Sequence, residues 1–210
     1  MPTSRFDRRR VLLALLATSL LPLGWRAAGA APSADAARTL IEEVSAEVLA
    51  ILSNQNLADR QKFDALVELL EQPIDLDLVA RLILGRYWRS ANETQRQQYL
   101  QLFREYALAN LASKLHLYRG QSFEVTGAKV VSDKDALVTS RILSDDEPPL
   151  QVDWRLRERD SGGPVTIDLI VEGVSLIVTL RSEFASVIER QGFDGLLAEL
   201  RQRIVQTRQA

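Results

Sequence analysis

The sequence predicts an α+β domain in which helices come first, an antiparallel sheet follows and a helix closes the chain. Three observations support this. Apolar residues recur at three-and-four spacing from about residue 35 to 118, alternate with polar residues from Ser122 to Val171, and return to helical spacing from Phe193. Helices and strands segregated in this way belong to an α+β fold rather than to repeated βαβ units.

The helices follow in order. Leu40, Ile41, Val44, Val48, Ile51 and Leu52 share one face of the first. Phe63, Leu66, Val67 and Leu70 repeat the pattern until Pro73, which cannot continue a helix. Asp75 is placed to cap a third helix bearing Leu78, Leu82 and Ile83, with Gly85 ending it in a left-handed turn. In "LGRYWRSANETQRQQY", residues 84–99, Ser90 and Glu93 have capping-box spacing for the longest helix, which runs to about Tyr118. Basic residues interleaved with aromatics here would suit an anionic ligand. A corner between two helices explains them without one: Trp88 packs beneath it, and Arg86 and Arg89 serve local carboxylates or helix-end carbonyls. Leu100, Phe103, Ala107, Leu111 and Leu115 form a stripe on the long helix that Leu102, Tyr106 and Ala109 widen. So broad an apolar girth predicts cover on more than one side.

The strands read as a four-stranded antiparallel meander with one apolar and one charged face. Phe123 and Val125 alternate with polar residues before Gly127, a bulge position, and Asp133-Lys134-Asp135 turns the chain into a strand from Ala136 to Leu143. Leu150, Val152, Trp154 and Leu156 alternate with Gln151, Asp153, Arg155 and Arg157. After the turn Ser161-Gly162-Gly163-Pro164, Val165, Ile167, Leu169 and Val171 alternate again. Between this sheet and the closing helix, "VSLIVTLRSEFASVIERQ" is ambiguous. Val174 to Leu180 is β-branched, yet Ile177, Leu180, Phe184 and Ile188 hold helical spacing. Gly192 is a helix stop, and Phe193, Leu196, Leu197, Leu200 and Ile204 form the last stripe.

The N-terminus points to export. Arg5, Arg8, Arg9 and Arg10 precede an apolar run from Val11 to Leu23, and Ala28-Gly29-Ala30 offers a small-x-small cleavage site. That run would span roughly 20 Å, short of a ~30 Å hydrocarbon core, so residues 1–30 read as a cleaved signal peptide and 31–210 as a single domain. Arg8-Arg9-Arg10-Val11-Leu12 also has a twin-arginine shape, so the route is Sec or twin-arginine and the destination lies outside the cytoplasmic membrane. The leader holds five arginines and one aspartate. Of 26 basic and 28 acidic residues, 21 and 27 remain, a net charge of −6 that disfavours nucleic acid as a partner. There is no cysteine, hence no disulfide, thiol chemistry or lipoprotein acylation site.

Catalytic patterns are weak. His116 is the single histidine, so a zinc site would have to rest on carboxylates, with no HExxH spacing present, and a Ser-His-Asp triad would have to use His116. Ser175 follows Gly173, but Ile177 stands where a nucleophile elbow needs its second glycine. Asp145-Asp146-Glu147 before Pro148-Pro149 reads as a solvated turn. The residues therefore suggest neither an enzyme nor a metal or organic cofactor. What remains is abundant apolar surface on helices and sheet. A packed core uses it up; an apolar cavity leaves some of it free.

Four segments carry a resemblance: "DLDLVARLILGRYWRSANETQRQQYLQLFREY", "LYRGQSFEVTG", "VDWRLRER" and "DLIVEGVSLIVTLRSEFASVIERQGFDGLLAEL". Together they resemble the MlaC, or toluene-tolerance, family of periplasmic phospholipid-binding auxiliary proteins of ABC transporters. The resemblance implies a curved four-stranded sheet of NTF2/cystatin-like architecture, enclosed by several α-helices around an apolar pocket, with a helix after Gly173. It implies glycerophospholipid as cargo and no cofactor. It also implies two partner assemblies, an outer-membrane lipoprotein–porin complex and an inner-membrane MCE-protein ABC transporter complex. On that reading the sheet lining is Val125, Val138 and Ile142, then Val152, Trp154 and Leu156, then Ile167, Leu169 and Val171. Phe103, Tyr106 and Leu111 of the long helix oppose it. Two acyl chains of roughly 30 methylenes would cost on the order of 25 kcal/mol to expose, so a carrier must hide nearly all of them. Pro164 and Ile167 stand where the family pattern has Trp and Tyr. That departure leaves open a hopanoid-associated relative with polycyclic cargo, and a lipid-free periplasmic adaptor is the remaining alternative.

Overall fold

The computed structural model describes residues 31–159 and 162–209; the expected leader and Ser161 of the expected turn lie outside them. Helix α1 spans Ala34–Ser53, and Ser33 caps it by accepting the Ala36 N–H at 3.0 Å. Helix α2 (Asp59–Leu70) follows, then α3 (Leu76–Leu84), capped by the Asp75 carboxylate at the Leu78 N–H, 2.9 Å. Gly85 ends α3 at φ 52°, and the corner that follows is a one-turn helix, α4 (Arg86–Ser90).

The long helix α5 (Glu93–Lys114) starts differently from expectation. Its capping box is Asn92 with Gln95: Asn92 Oδ1 accepts the Gln95 N–H at 2.9 Å, and Gln95 Oε1 accepts the Asn92 N–H at 3.1 Å. Ser90 instead donates its hydroxyl to the Tyr87 carbonyl at 3.0 Å, closing α4. The helix also ends earlier, passing into a 3-10 turn at Leu115–Leu117.

Strands β1 (Ser122–Val130), β2 (Asp135–Leu143), β3 (Leu150–Glu158) and β4 (Pro164–Val171) form the antiparallel meander in sequence order. A fifth strand, β5 (Val174–Ser175), joins the edge of β4 and corrects the expected count of four. Glu172 (φ 47°) and Gly173 (φ 80°) both take the left-handed conformation that a two-residue hairpin needs. Register shifts at Val125/Gly127 on β1 and opposite Arg155/Leu156 on β4 bend the open sheet. The ambiguous segment divides between the two readings: two residues of strand, then helix α6 (Leu176–Gln209). Gly192 breaks α6 into two arms at φ 72°, ψ 179°.

Two separate cores result. One is helical, with Ala80, Ile83 and Leu84 of α3, Tyr99, Leu102 and Phe103 of α5, and Phe184, Leu196 and Leu200 among the buried residues of α6. Tyr99 lies at its centre, fully buried, with the rings of Phe103, Phe193 and Phe184 at 5.9, 6.2 and 6.3 Å. Its hydroxyl donates to the Ala80 carbonyl at 3.0 Å, which satisfies the one polar atom of the ring. The other core lies between α1 and the sheet: Ala37 and Ile41 against Ala136, Val138 and Leu156. The broad apolar girth of α5 is thus covered by α3 and α6, a helix-on-helix solution.

Candidate functional site

Residues paired across antiparallel strands project from the same face, so the register defines the apolar surface row by row. The first row is Phe123, Ile142 and Leu150, and the second is Val125, Ser140, Val152 and Val171. Ala128, Val138, Trp154 and Leu169 make the third, and Val130, Ala136, Leu156 and Thr166 the fourth. The other face is mixed, with Leu137, Val165 and Ile170 among charged pairs. Glu124 pairs Arg141, Arg155 pairs Asp168, and Arg157 forks onto Asp135 at 2.8 and 3.1 Å.

On β2, β3 and β4 burial on the apolar face falls from the fourth row to the first, whereas on the edge strand β1 Val130 of the fourth row is exposed. Ala136, Val138 and Leu156 are fully buried under Ala37, Leu40 and Ile41, which come from the first two turns of α1. In the first two rows Phe123, Val125 and Ile142 are half-buried, and Leu150 and Val171 are each 39 % exposed. Further half-buried apolar residues line the rest of α1 (Val44, Val48, Ile51, Leu52) and α2 (Phe63, Val67, Leu70). This end of the face is apolar and incompletely covered.

All the expected sheet residues except Ile167 hold a place in these rows; Ile167 is the extra residue of the β4 bulge, outside the ladder and buried. The expected opposing side chains are elsewhere. Phe103 belongs to the helical core, with Tyr106 packed against it at 6.4 Å, and Leu111 is half-buried further along α5. The helix over the apolar rows is α1. Its Ala37, Leu40 and Ile41, together with Phe123 and Ser140, were not among the expected lining. Ser140 carried a usable signal, since it is the polar residue at an inward position of the Ala136-Val138-Ser140-Ile142 alternation.

Among the described residues, open grooves also lie outside this face. One of about 630 Å³ runs between α1 and α2, with Leu40, Val44, Leu69, Pro73 and Pro164 beneath the carboxylates of Glu43, Glu47, Glu68 and Glu71. Another, about 360 Å³, is a polar cleft between the arms of α6, which Arg203 bridges through Glu183 and Glu199 at 2.9 and 3.0 Å. Neither is lined by the expected residues.

The residues weighed for catalysis have structural positions. Ser175 donates to Asp168 at 2.5 Å and accepts the Val178 N–H at 3.1 Å, which makes its hydroxyl part of the α6 cap. His116 lies exposed on the 3-10 turn. The described residues hold no cluster of three or more His, Asp or Glu arranged for a metal, and no helix among them is long and apolar enough to cross a membrane.

Fold and site define a class: an α+β domain whose bent antiparallel sheet holds one apolar face under helices. A phospholipid-binding protein from Ralstonia solanacearum, solved in complex with a phospholipid, has this fold. It superposes with a TM-score of 0.69 at 23 % identity, covering 84 % of this chain and 99 % of that one. The chain is also 21 % identical over 132 residues to the intermembrane phospholipid transport system binding protein MlaC of Haemophilus influenzae. That match takes in 61 % of this chain and spans 62 % of the relative's length. The family model described as MlaC protein matches residues 42–202, and the chain belongs to the MlaC family.

Proposed function

We propose that the protein is a periplasmic carrier of glycerophospholipid that shuttles lipid between an outer-membrane lipoprotein–porin complex and an inner-membrane MCE-type ABC transporter, with no catalytic step. Family membership and the phospholipid-bound relative support the cargo. The observation that carries the reading is the burial gradient along the apolar face, which leaves the Phe123–Leu150 end for acyl chains while Val138 and Leu156 form a closed floor.

The cover is built to move. Among the described residues no hydrogen bond or ion pair ties α1 to the sheet; Ala37, Leu40 and Ile41 pack on it by apolar contact. Such contact is non-directional, so acyl chains can take the place of the half-buried side chains of α2 and of the C-terminal part of α1 at little net cost. Lipid entry moves these segments away from Val125, Ile142, Val152, Trp154, Leu169 and Val171, while Ala37 and Ile41 stay on the floor.

Leu169→Trp tests this reading. Filling half-buried space, it is expected to keep the fold within the ~1–3 kcal/mol of an overpacked site while reducing lipid uptake from phosphatidylglycerol vesicles several-fold. A folded variant with undiminished uptake would remove the apolar face from the site.

A further inference from the structure

Trp154 is the largest side chain on the apolar face, and its indole is held in place. Its Nε1–H donates to Ser140 Oγ at 2.9 Å, and the Ser140 hydroxyl donates in turn to the Val152 carbonyl at 2.7 Å. Ser140 is fully buried, so this pairing is shielded from water, and a buried indole N–H without a partner would be unfavourable. The ring also meets Phe123 edge-on, with centroids 6.1 Å apart at 73°. Rooted in the third row on β3, bonded to the second row on β2 and touching the first row on β1, the indole lies as a bar across three strands. The small Ser140 side chain, set among valines in its row, leaves room for it.

Behind the bar Ala136, Val138 and Leu156 are closed under α1; Ser140 and Val152 are buried in the row that the bar crosses, and beyond them Ile142, Leu150 and Val171 are half-buried or exposed. Apolar contact alone would admit any chain length, because it has no direction. A rigid aromatic wall fixed by a hydrogen bond adds a length limit.

We propose that Trp154, anchored by Ser140, is the end stop of the lipid site and sets the longest acyl chain it accepts. This rests on the carrier reading above. Replacing the indole by a smaller side chain frees room for a few more methylenes of one acyl chain, within the ~6.8 Å depth of one sheet row. Each methylene hidden rather than left in water changes affinity about fourfold.

Delipidated full-length protein is mixed with vesicles of phosphatidylglycerols whose paired monounsaturated chains run from fourteen to twenty-two carbons in equal amounts. The protein is then re-isolated, extracted and analysed by mass spectrometry. The wild type is expected to show a sharp upper length limit. Trp154→Leu is expected to raise the share of the species just beyond that limit by about fourfold or more. Ser140→Ala, which frees the indole while removing almost no volume, blurs the limit in the same direction; Trp154→Phe stands in if the leucine variant unfolds. Folded, lipid-loaded variants with the wild-type length profile overturn the end stop alone. Wild-type protein that takes up no lipid of any length overturns the carrier reading with it.

Discussion

Asp168 on β4 accepts the backbone N–H of Ile177 at 3.0 Å, joining the sheet to the first turn of α6. Its second oxygen takes the Ser175 hydroxyl, so one buried carboxylate satisfies the helix start and the β5 strand together. A negative charge is favourable at a helix N-terminus, and α6 contributes much of the helical core. The "EGVS" turn is therefore the joint between the two cores.

Removing that joint has a definite cost. Asp168→Ala leaves the Ile177 N–H unpaired and is expected to lower unfolding free energy by about 2–3 kcal/mol. Asp168→Asn keeps an acceptor and is expected to lose roughly half as much. Urea titrations of the two variants check the order; equal stability of Asp168→Ala and wild type would contradict the joint.

Tyr99 links stability to alkaline pH. Burial raises its folded-state pKa above the ordinary value, whereas the unfolded chain ionises near pH ~10. Its contribution is thus present below that pH and lost as pH rises above it, by up to about 1.4 kcal/mol per pH unit. Tyr99→Phe is expected to lose about 1 kcal/mol at neutral pH with the Ala80 hydrogen bond, and to show a shallower alkaline decline. Thermal midpoints between neutral pH and about pH 11 check both.

The strands, the Asp75 cap, the Gly85 stop and the Gly127 bulge were legible because each depends on neighbouring residues. The Asn92 cap was misplaced by two residues because Ser90-x-x-Glu93 and Asn92-x-x-Gln95 overlap, and only the backbone decides which serine or asparagine faces the orphan N–H groups. The apolar girth of α5 was legible, but not its partner: periodicity tells which residues leave water and is silent on whether a helix or a sheet receives them. Hence periodicity alone leaves Phe103 and Tyr106 free to face the sheet, whereas they pack on α3 and α6. The apolar rows of the sheet were readable strand by strand, but the bar formed by Trp154 and Ser140 depends on register and orientation across strands.

Gly192 sits at φ 72°, ψ 179°, a conformation available essentially only to glycine. Gly192→Ala is expected to cost about 1–3 kcal/mol. At Gly195 a side chain would overlap the Gln191 Cβ, so Gly195→Ala should open the angle between the arms and weaken the Arg203 bridge. Circular dichroism melts of both variants, with midpoints below wild type, are the expected outcome.

Trp88 is held between Arg81 and Arg96, whose guanidinium carbons stand 5.7 and 5.4 Å from its ring, and Arg96 also donates to the Trp88 carbonyl at 2.9 Å. Arg86 donates to Glu189 at 2.9 Å and to the Tyr87 hydroxyl at 2.7 Å. Trp88→Ala is expected to cost about 2–3 kcal/mol through lost packing and cation–π contact, with lipid content per folded molecule unchanged. Lipid loss in folded protein would place this corner in the binding site.

Organic extraction of the purified protein, followed by mass spectrometry, tests the carrier function most directly. A phospholipid carrier yields diacyl glycerophospholipid in near-stoichiometric amount. A polycyclic triterpenoid in its place, or protein that is lipid-free and stays so after incubation with phospholipid vesicles, would contradict it.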